Sequence, residues 1–369
     1  MSNSPSTPFG KHMDCIQDPR HHNTQHRLYD ILLITLCAIV SGADSWTQVA
    51  EFGRSKLQWF EQFLELPNGI PSHDTFGRLF ARIDPKGFQT FFSRWVQDIS
   101  GALNGKTVAI DGKTLRGSQD RINGKSPVHM VSAWASDIRL VLGQIKTDDK
   151  SNEITAIPEL IKTLALQGAI ITIDAMGCQK KITRTIIDEK ADYVIQVKNN
   201  QQRLREDIAL FFQDATNGPF DVCETVNGDH GRIETRQYVA TSDIGWLPGK
   251  HMWAGIKTIV MVIRRREVND SASVETAYFI TSLDNHAPTI AKAIREHWAI
   301  ENALHWCLDI AFREDDCRVR KDHGPENFGI IRHMAINLLK RETSLKGGIQ
   351  TKRLKAAWDH DYLLKILAA

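Results

Sequence analysis

The sequence predicts an α/β protein: a mixed-sheet core with a β-rich insertion, preceded by a helical amino-terminal region. Three observations predict it. Residues 18–100 carry apolar side chains at helical spacing. From residue 106 three β-branched runs follow one another across short turns, and helical and strand-like stretches then alternate to about residue 214. Strand texture returns over 219–285, and helices resume at 286. Hydrophobic and charged fractions of 42% and 24% suit a soluble globular protein of several domains.

Taken in order, residues 1–17 are polar and rich in Ser and Pro, and read as disordered. In the helical region, 18–100, LYDILLITLCAIV is a buried helix and SWTQVAEFGRSKLQWFEQFL an amphipathic one. PSHDTFGRLFARI opens on Pro71-Ser72, a helix-start signal. A helix-turn-helix reader of DNA and a plain helical bundle fit this region equally. KTVAIDGK, PVHMVSAWAS and RLVLGQIKTD form an antiparallel meander. EITAIPELIKTLAL (helix), AIITIDAMG (strand), QKKITRTIIDEKA (helix) and DYVIQVKNN (strand) follow. Three antiparallel strands and then alternating helix and strand is the order of a ribonuclease-H-like sheet, here spanning 101–218. The β block at 219–285 interrupts that core. Its second part, 286–345, begins with a long helix from Ala287 that carries Glu301, and 346–369 is a basic helical tail.

Net charge is only +2, so bulk charge selects no partner, but its distribution is uneven. Between Arg318 and Lys355 stand ten Lys or Arg against three acids, compatible with a phosphate-facing surface or with a solvated helical face. The six cysteines are scattered without a CxxC, which argues against a disulfide framework and against a zinc site with His323 or His333. A reducing cytoplasm is expected. The amino terminus lacks a signal-peptide layout, and the apolar run Leu28 to Val40 contains Asp30 and is too short to span a bilayer. No membrane partner is expected.

The chemistry centres on three carboxylates. Thr107 to Ile110 reads as a buried strand ending at the turn signal Asp111-Gly112, and Ile170 to Ile173 as another ending at Asp174. HWAIENALHW is helical, with Glu301 at its centre. Each acid alone reads as a turn or surface residue. Together, two strand-end aspartates and a helical glutamate are the minimum that holds two divalent cations for phosphodiester chemistry, roughly 4 Å apart. Hard oxygen donors favour Mg²⁺, with Mn²⁺ also suited. Lys113 and Arg116 would suit a polyanion, Lys198 stands beside Asn199-Asn200, and Arg264 to Arg266 is a further phosphate candidate. His305 reads as a core or supporting histidine, and Trp298 and Trp306 as core rather than stacking platforms. GALNGKT resembles a phosphate-binding P-loop, but it is one residue short and precedes a strand, so an NTPase is rejected.

AIDGKTLRGS, TIDAMGCQKKI and REHWAIENALHWCLDIAFREDDCRVR closely resemble the three carboxylate motifs of bacterial insertion-sequence DDE transposases of the H-repeat-associated type. PSHDTFGRLFARIDP resembles the helical region that accompanies that core, DHGRIETR the start of the β insertion, and KAAWDHDYLLKIL the usual ending. The resemblance runs from about residue 18 to the last. It implies cleavage at the ends of a mobile element and joining of the freed 3′-hydroxyls to target DNA, in a homodimeric synaptic complex at the bacterial nucleoid. It places the metal-binding triad on Asp111, Asp174 and Glu301. One departure stands out: where related enzymes carry Tyr, Arg and Lys around the glutamate, this chain has Ile294, His297 and Leu308. Arg295, Arg313, Arg318 and Arg320 are candidates to supply the missing phosphate contacts. The alternatives are a non-transposing nuclease of the same fold and a catalytically idle DNA-binding descendant.

Overall fold

The computed structural model describes residues 8–20, 24–120, 123–147, 153–214, 218–229, 232–268 and 271–369. The amino-terminal half of the helical layer is α1 (Leu28–Val40), α2 (Trp46–Ser55), α3 (Leu57–Phe60), α4 (His73–Arg82) and α5 (Pro85–Ser100). Ser45, Ser72 and Asp84 cap α2, α4 and α5, each side chain accepting from amides of the first turn. In α1 every residue from Asp30 to Val40 is buried, as its continuous apolar run requires. The expected disorder at the amino terminus meets a correction over 8–16. These residues fold against the helices, with Phe9 packed edge-on to Phe91 and Ile16 buried. Two buried apolar side chains, with Lys11 and His12 each 2.9 Å from Asp98, hold it down. Residues 1–7 lie outside the described residues.

Among the described residues the sheet has nine strands. They are β1 (Thr107–Leu115), β2 (Val128–Ala135), β3 (Leu140–Lys146), β4 (Ile170–Ile173), β5 (Asp192–Val197), β6 (Asp221–Asp229), β7 (Arg232–Thr241), β8 (Thr258–Val268) and β9 (Ser271–Thr281), in the order β3-β2-β1-β4-β5-β9-β8-β7-β6. β1 to β3 pair antiparallel, and β1, β4 and β5 pair parallel, the ribonuclease-H-like arrangement. α6 (Glu153–Thr163), α7 (Lys180–Asp188) and α8 (Gln202–Asp214) lie between these strands in the chain. The β block does not form a separate body. β9 pairs antiparallel with β5, Val194 opposite Thr281, so β6 to β9 extend the same sheet.

α9 (Ala287–His297) buries Ile290, Ala293 and Ile294 in a small core with Val194, Tyr238, Val260 and Val262. α10 (Trp306–Ala311) follows, and then α11 (Gly324–Arg341), buried along almost its whole length against α1, α4, α5 and β3. α12 (Ile349–Trp358) and α13 (His360–Leu367) close the chain. The basic stretch 318–355 is only partly a surface feature. Arg332 lies over the Phe328 ring with Glu314 3.6 Å away, Lys352 donates to the Leu339 carbonyl, and Arg353 donates to the carbonyls of Ile39, Ala43 and Ala311. Among the described residues no helix is long and apolar enough to cross a membrane.

Candidate active site

β1 does not turn at Asp111-Gly112. It runs on to Leu115 because β2 keeps pairing with it, Asp111 opposite Ser132 and Leu115 opposite Val128. Its parallel neighbour β4 stops at Ile173, which pairs with Ile110. Asp111 therefore stands where the sheet loses one neighbour, and Asp174 is the first residue past the end of the other strand. Asp174 Oδ1 accepts from the amides of Met176 (3.0 Å) and Gly177 (3.4 Å), capping a 3₁₀ turn at Ala175–Gly177. That cap fixes the direction of the carboxylate.

Glu301 does not ride on one long α-helix. α9 ends at His297, and Glu301 sits in a π-helical turn, Ile300–His305, that leads into α10. Such turns insert an extra residue into the helical repeat and recur at functional sites. Ile300 and Leu304 are buried and anchor this one, leaving Glu301 exposed.

Asp111 feels the assembly most. Burial, together with the carboxylates of Glu153, Asp174 and Glu301, pushes its pKa up to about 7. The nearest basic residue along its strand, Lys113, is committed elsewhere. Lys113 is held by Glu314 at 2.7 Å and by Asp309, and only 12% of its side chain is exposed. His305 Nδ1 lies 3.6 Å from Asp111 Oδ2, but burial and then Lys113 drive its pKa down to about 4, so it is neutral at pH 7. Burial also lowers that of His297, whose Nδ1 lies 3.1 Å from Thr172 Oγ1. Uncompensated hard-oxygen acids at the edge of a core fit a divalent cation. Among the described residues no three His, Cys, Asp or Glu side chains are gathered closely enough to hold one as they stand.

Beside the acids runs a basic cleft that holds the phosphate candidates Lys198, Arg264, Arg266 and Arg295 and adds Arg232 and Arg236, which the sequence does not mark. A cavity lined by Asp174, Lys198, Arg236, Arg264, Arg295 and Trp298 adjoins a cleft of about 870 Å³ that adds Arg232 and Arg266. These arginines come from β7, β8 and α9, and register brings them together: Arg236 lies opposite Arg264, and Arg266 opposite Glu234. Buried Glu234 takes Arg236 at 2.6 Å and Arg264 at 3.4 Å, leaving the group with a net positive charge. Trp298 and Trp306 correct the expectation of core residues. They are 46% and 63% exposed, because the apolar stripe of Ile290, Ile294, Ile300 and Leu304 turns them outward. The Arg264 guanidinium stands 5.7 Å from the Trp298 ring. Ile294 and Leu308, at two of the departing positions, are core residues.

A second basic group lies around the turn that follows β1. Arg320 Nε donates to the Gly117 carbonyl at 3.0 Å, and Arg116 stands 3.4 Å from Asp315 with most of its side chain in solvent. Gly117 is required here, since a Cβ on it would lie 2.2 Å from the Cys317 carbonyl oxygen. Arg313, in a left-handed conformation, pairs with Asp316 at 3.1 Å, and Arg318 is exposed.

Comparison with known proteins follows the same outline. Residues 104–338 match the family described as Transposase DDE domain, and residues 11–96 match the one described as DDE_Tnp_1-associated. The chain is 40% identical to "Putative transposase YncI" of Escherichia coli O157:H7, over 94% of this chain and 90% of that protein. It is 39% identical to "H repeat-associated putative transposase YhhI" of Escherichia coli (strain K12), over 97% of each. An "Uncharacterized protein in dhlA 3'region" of Xanthobacter autotrophicus is 47% identical over 73% of this chain and 92% of its own length. With a helical region ahead of a mixed sheet, both matched by these families, and relatives of about 40% identity along nearly its whole length, the chain belongs to the DDE transposases of the H-repeat-associated type.

Proposed function

We propose that this protein cleaves the ends of an insertion sequence and transfers the freed 3′-hydroxyls to target DNA, acting as a homodimer that holds two ends in a synaptic complex. The observation that supports this best is that the charges of Asp174, at the end of β4, and Glu301, in the π turn, both act on Asp111 of β1, beside an arginine-lined cleft. Asp111, Asp174 and Glu301 would hold two divalent cations, Mg²⁺ or Mn²⁺. Bound there, these would supply charge stabilisation to the attacking and leaving oxygens of the phosphodiester.

The chain's own groups do the rest. The amide cap aims Asp174, and buried Ile300 and Leu304 hold the turn that presents Glu301. Arg232, Arg236, Arg264, Arg266 and Arg295 carry DNA phosphates along the cleft, with Lys198 at its Asp174 end. Arg295 stands in for the phosphate-binding side chains whose positions Ile294, His297 and Leu308 occupy. On the other side Arg116, Arg313, Arg318 and Arg320 supply contacts from around Gly117. Lys113, committed to Asp309 and Glu314, orders the site from within.

The test is cleavage of supercoiled plasmid carrying the element's own ends, with Mg²⁺, comparing wild type with Glu301→Ala. Cutting at the ends by wild type alone, followed by strand transfer, supports the reading. Cut product without joining points to a nuclease. Retained DNA binding with no cutting by either protein makes the chain an idle binder.

A further inference from the structure

Glu153 belongs to none of the three carboxylate motifs, yet the fold delivers it to the same place. It is the first residue of α6, and its Oε1 lies 2.7 Å from His129 Nε2. His129 is oriented in turn by β1, its Nδ1 lying 2.9 Å from Thr114 Oγ1. The carboxylate rests in a cradle left by a missing side chain. A Cβ on Gly112 would sit 2.0 Å from Glu153 Oε1, 2.4 Å from its Cδ and 2.5 Å from His129 Nε2. Only glycine at this position admits the group, and the next residue back is Asp111.

The cradle sets the Glu153 carboxylate against the β1 backbone one residue from Asp111. An acid at a helix start ordinarily faces water, where the helix dipole favours it. Here it is only 13% exposed and locked by a histidine.

We propose that Glu153 is a fourth carboxylate of the active site, helping to hold the divalent cation beside Asp111, with His129 as its positioning residue. The proposal rests on the metal-dependent reading above, and its test separates the two. Mn²⁺ binding to the full chain without DNA is measured by the loss of the free-ion electron paramagnetic resonance signal. Wild type is compared with Asp111→Ala, Glu153→Gln, Gly112→Ala and His129→Ala, with thermal melts of each metal-free protein.

Asp111→Ala is expected to abolish tight binding. Glu153→Gln, which keeps the shape of the side chain, is expected to weaken it by about tenfold or more with no loss of melting temperature. Gly112→Ala should weaken it too, by displacing the carboxylate without removing it. His129→Ala should weaken it in wild type and add nothing in the Glu153→Gln background. Wild-type affinity in Glu153→Gln, with Asp111→Ala inactive in binding, overturns the fourth ligand and leaves the triad standing. Weakened binding that merely tracks unfolding in Glu153→Gln also overturns it, and marks His129–Glu153 as a structural pair. Failure of wild type itself to bind Mn²⁺, or undiminished binding by Asp111→Ala, sinks the metal-dependent reading and this proposal with it.

Discussion

At the scale of single residues, Asp111 decides how the site responds to pH. Its folded-state pKa of about 7 stands above the ordinary 3.8, so between these values the native state holds a proton that the unfolded chain has released. The stability this group contributes is therefore complete below about pH 4 and lost as pH rises through 7. Asp111→Asn should raise the melting temperature of the metal-free protein at pH 8, by on the order of a few kcal/mol in stability, and leave it unchanged near pH 4. Melts across that range check it, and a pH-independent difference would refute the assigned environment. Added Mn²⁺ should stabilise wild type and not Asp111→Asn. The two aspartates could be picked out from sequence because each follows an apolar run, and a carboxylate there sits at the edge of a core. The fate of Lys113 could not, since its partners Asp309 and Glu314 lie 196 and 201 residues away. Glu153 was equally hidden: nothing local marks the cradle over Gly112.

At the scale of elements, β7, β8 and α9 make the basic cleft, and its worth is measurable by salt. Arg232 and Arg266 line it from exposed positions, Arg232 only 3.5 Å from Glu234, so the neutral change Arg232→Gln with Arg266→Gln should weaken DNA binding with little change in melting temperature. The slope of log K against log salt should shrink by about 2, one contact for each arginine. An unchanged slope would remove this cleft from the DNA path. The strands themselves were readable from alternation and β-branched composition. That Arg236 meets Arg264 was not, because register between β7 and β8 sets it. The Asp-Gly pair misled for a related reason: pairing with β2 carries β1 straight through a local turn signal. The tail shows the same override, with Arg353 reaching the carbonyls of Ile39 and Ala43 and the Asp44 carboxylate. Arg353→Met should cost about 3–5 kcal/mol by stranding those acceptors, as chemical denaturation would report. A loss within 1 kcal/mol would show the contacts to be incidental.

At the scale of the whole molecule, one core runs from Phe9 to Leu367, with α11 threaded through it between the amino-terminal helices and the sheet. Calorimetry should therefore give a single cooperative transition. The fragment 104–338, which spans the sheet but lacks α1 to α5 and the tail, should fail to fold, because most of the faces that cover α11 are gone. Two separated transitions, or a folded fragment, would contradict this. By itself the sequence determined the mixed α/β class, the helical start, the order of strands and the three motif acids, because each is written in local periodicity and in residues adjacent along the chain. Only the tertiary structure decided that the β block extends the main sheet, that Glu301 rides a π turn, and that five arginines from three elements share one cleft. It also decided that Glu153 packs against Gly112 across a missing side chain. Those outcomes depend on pairing register and on contacts between residues far apart in sequence, which no local pattern encodes.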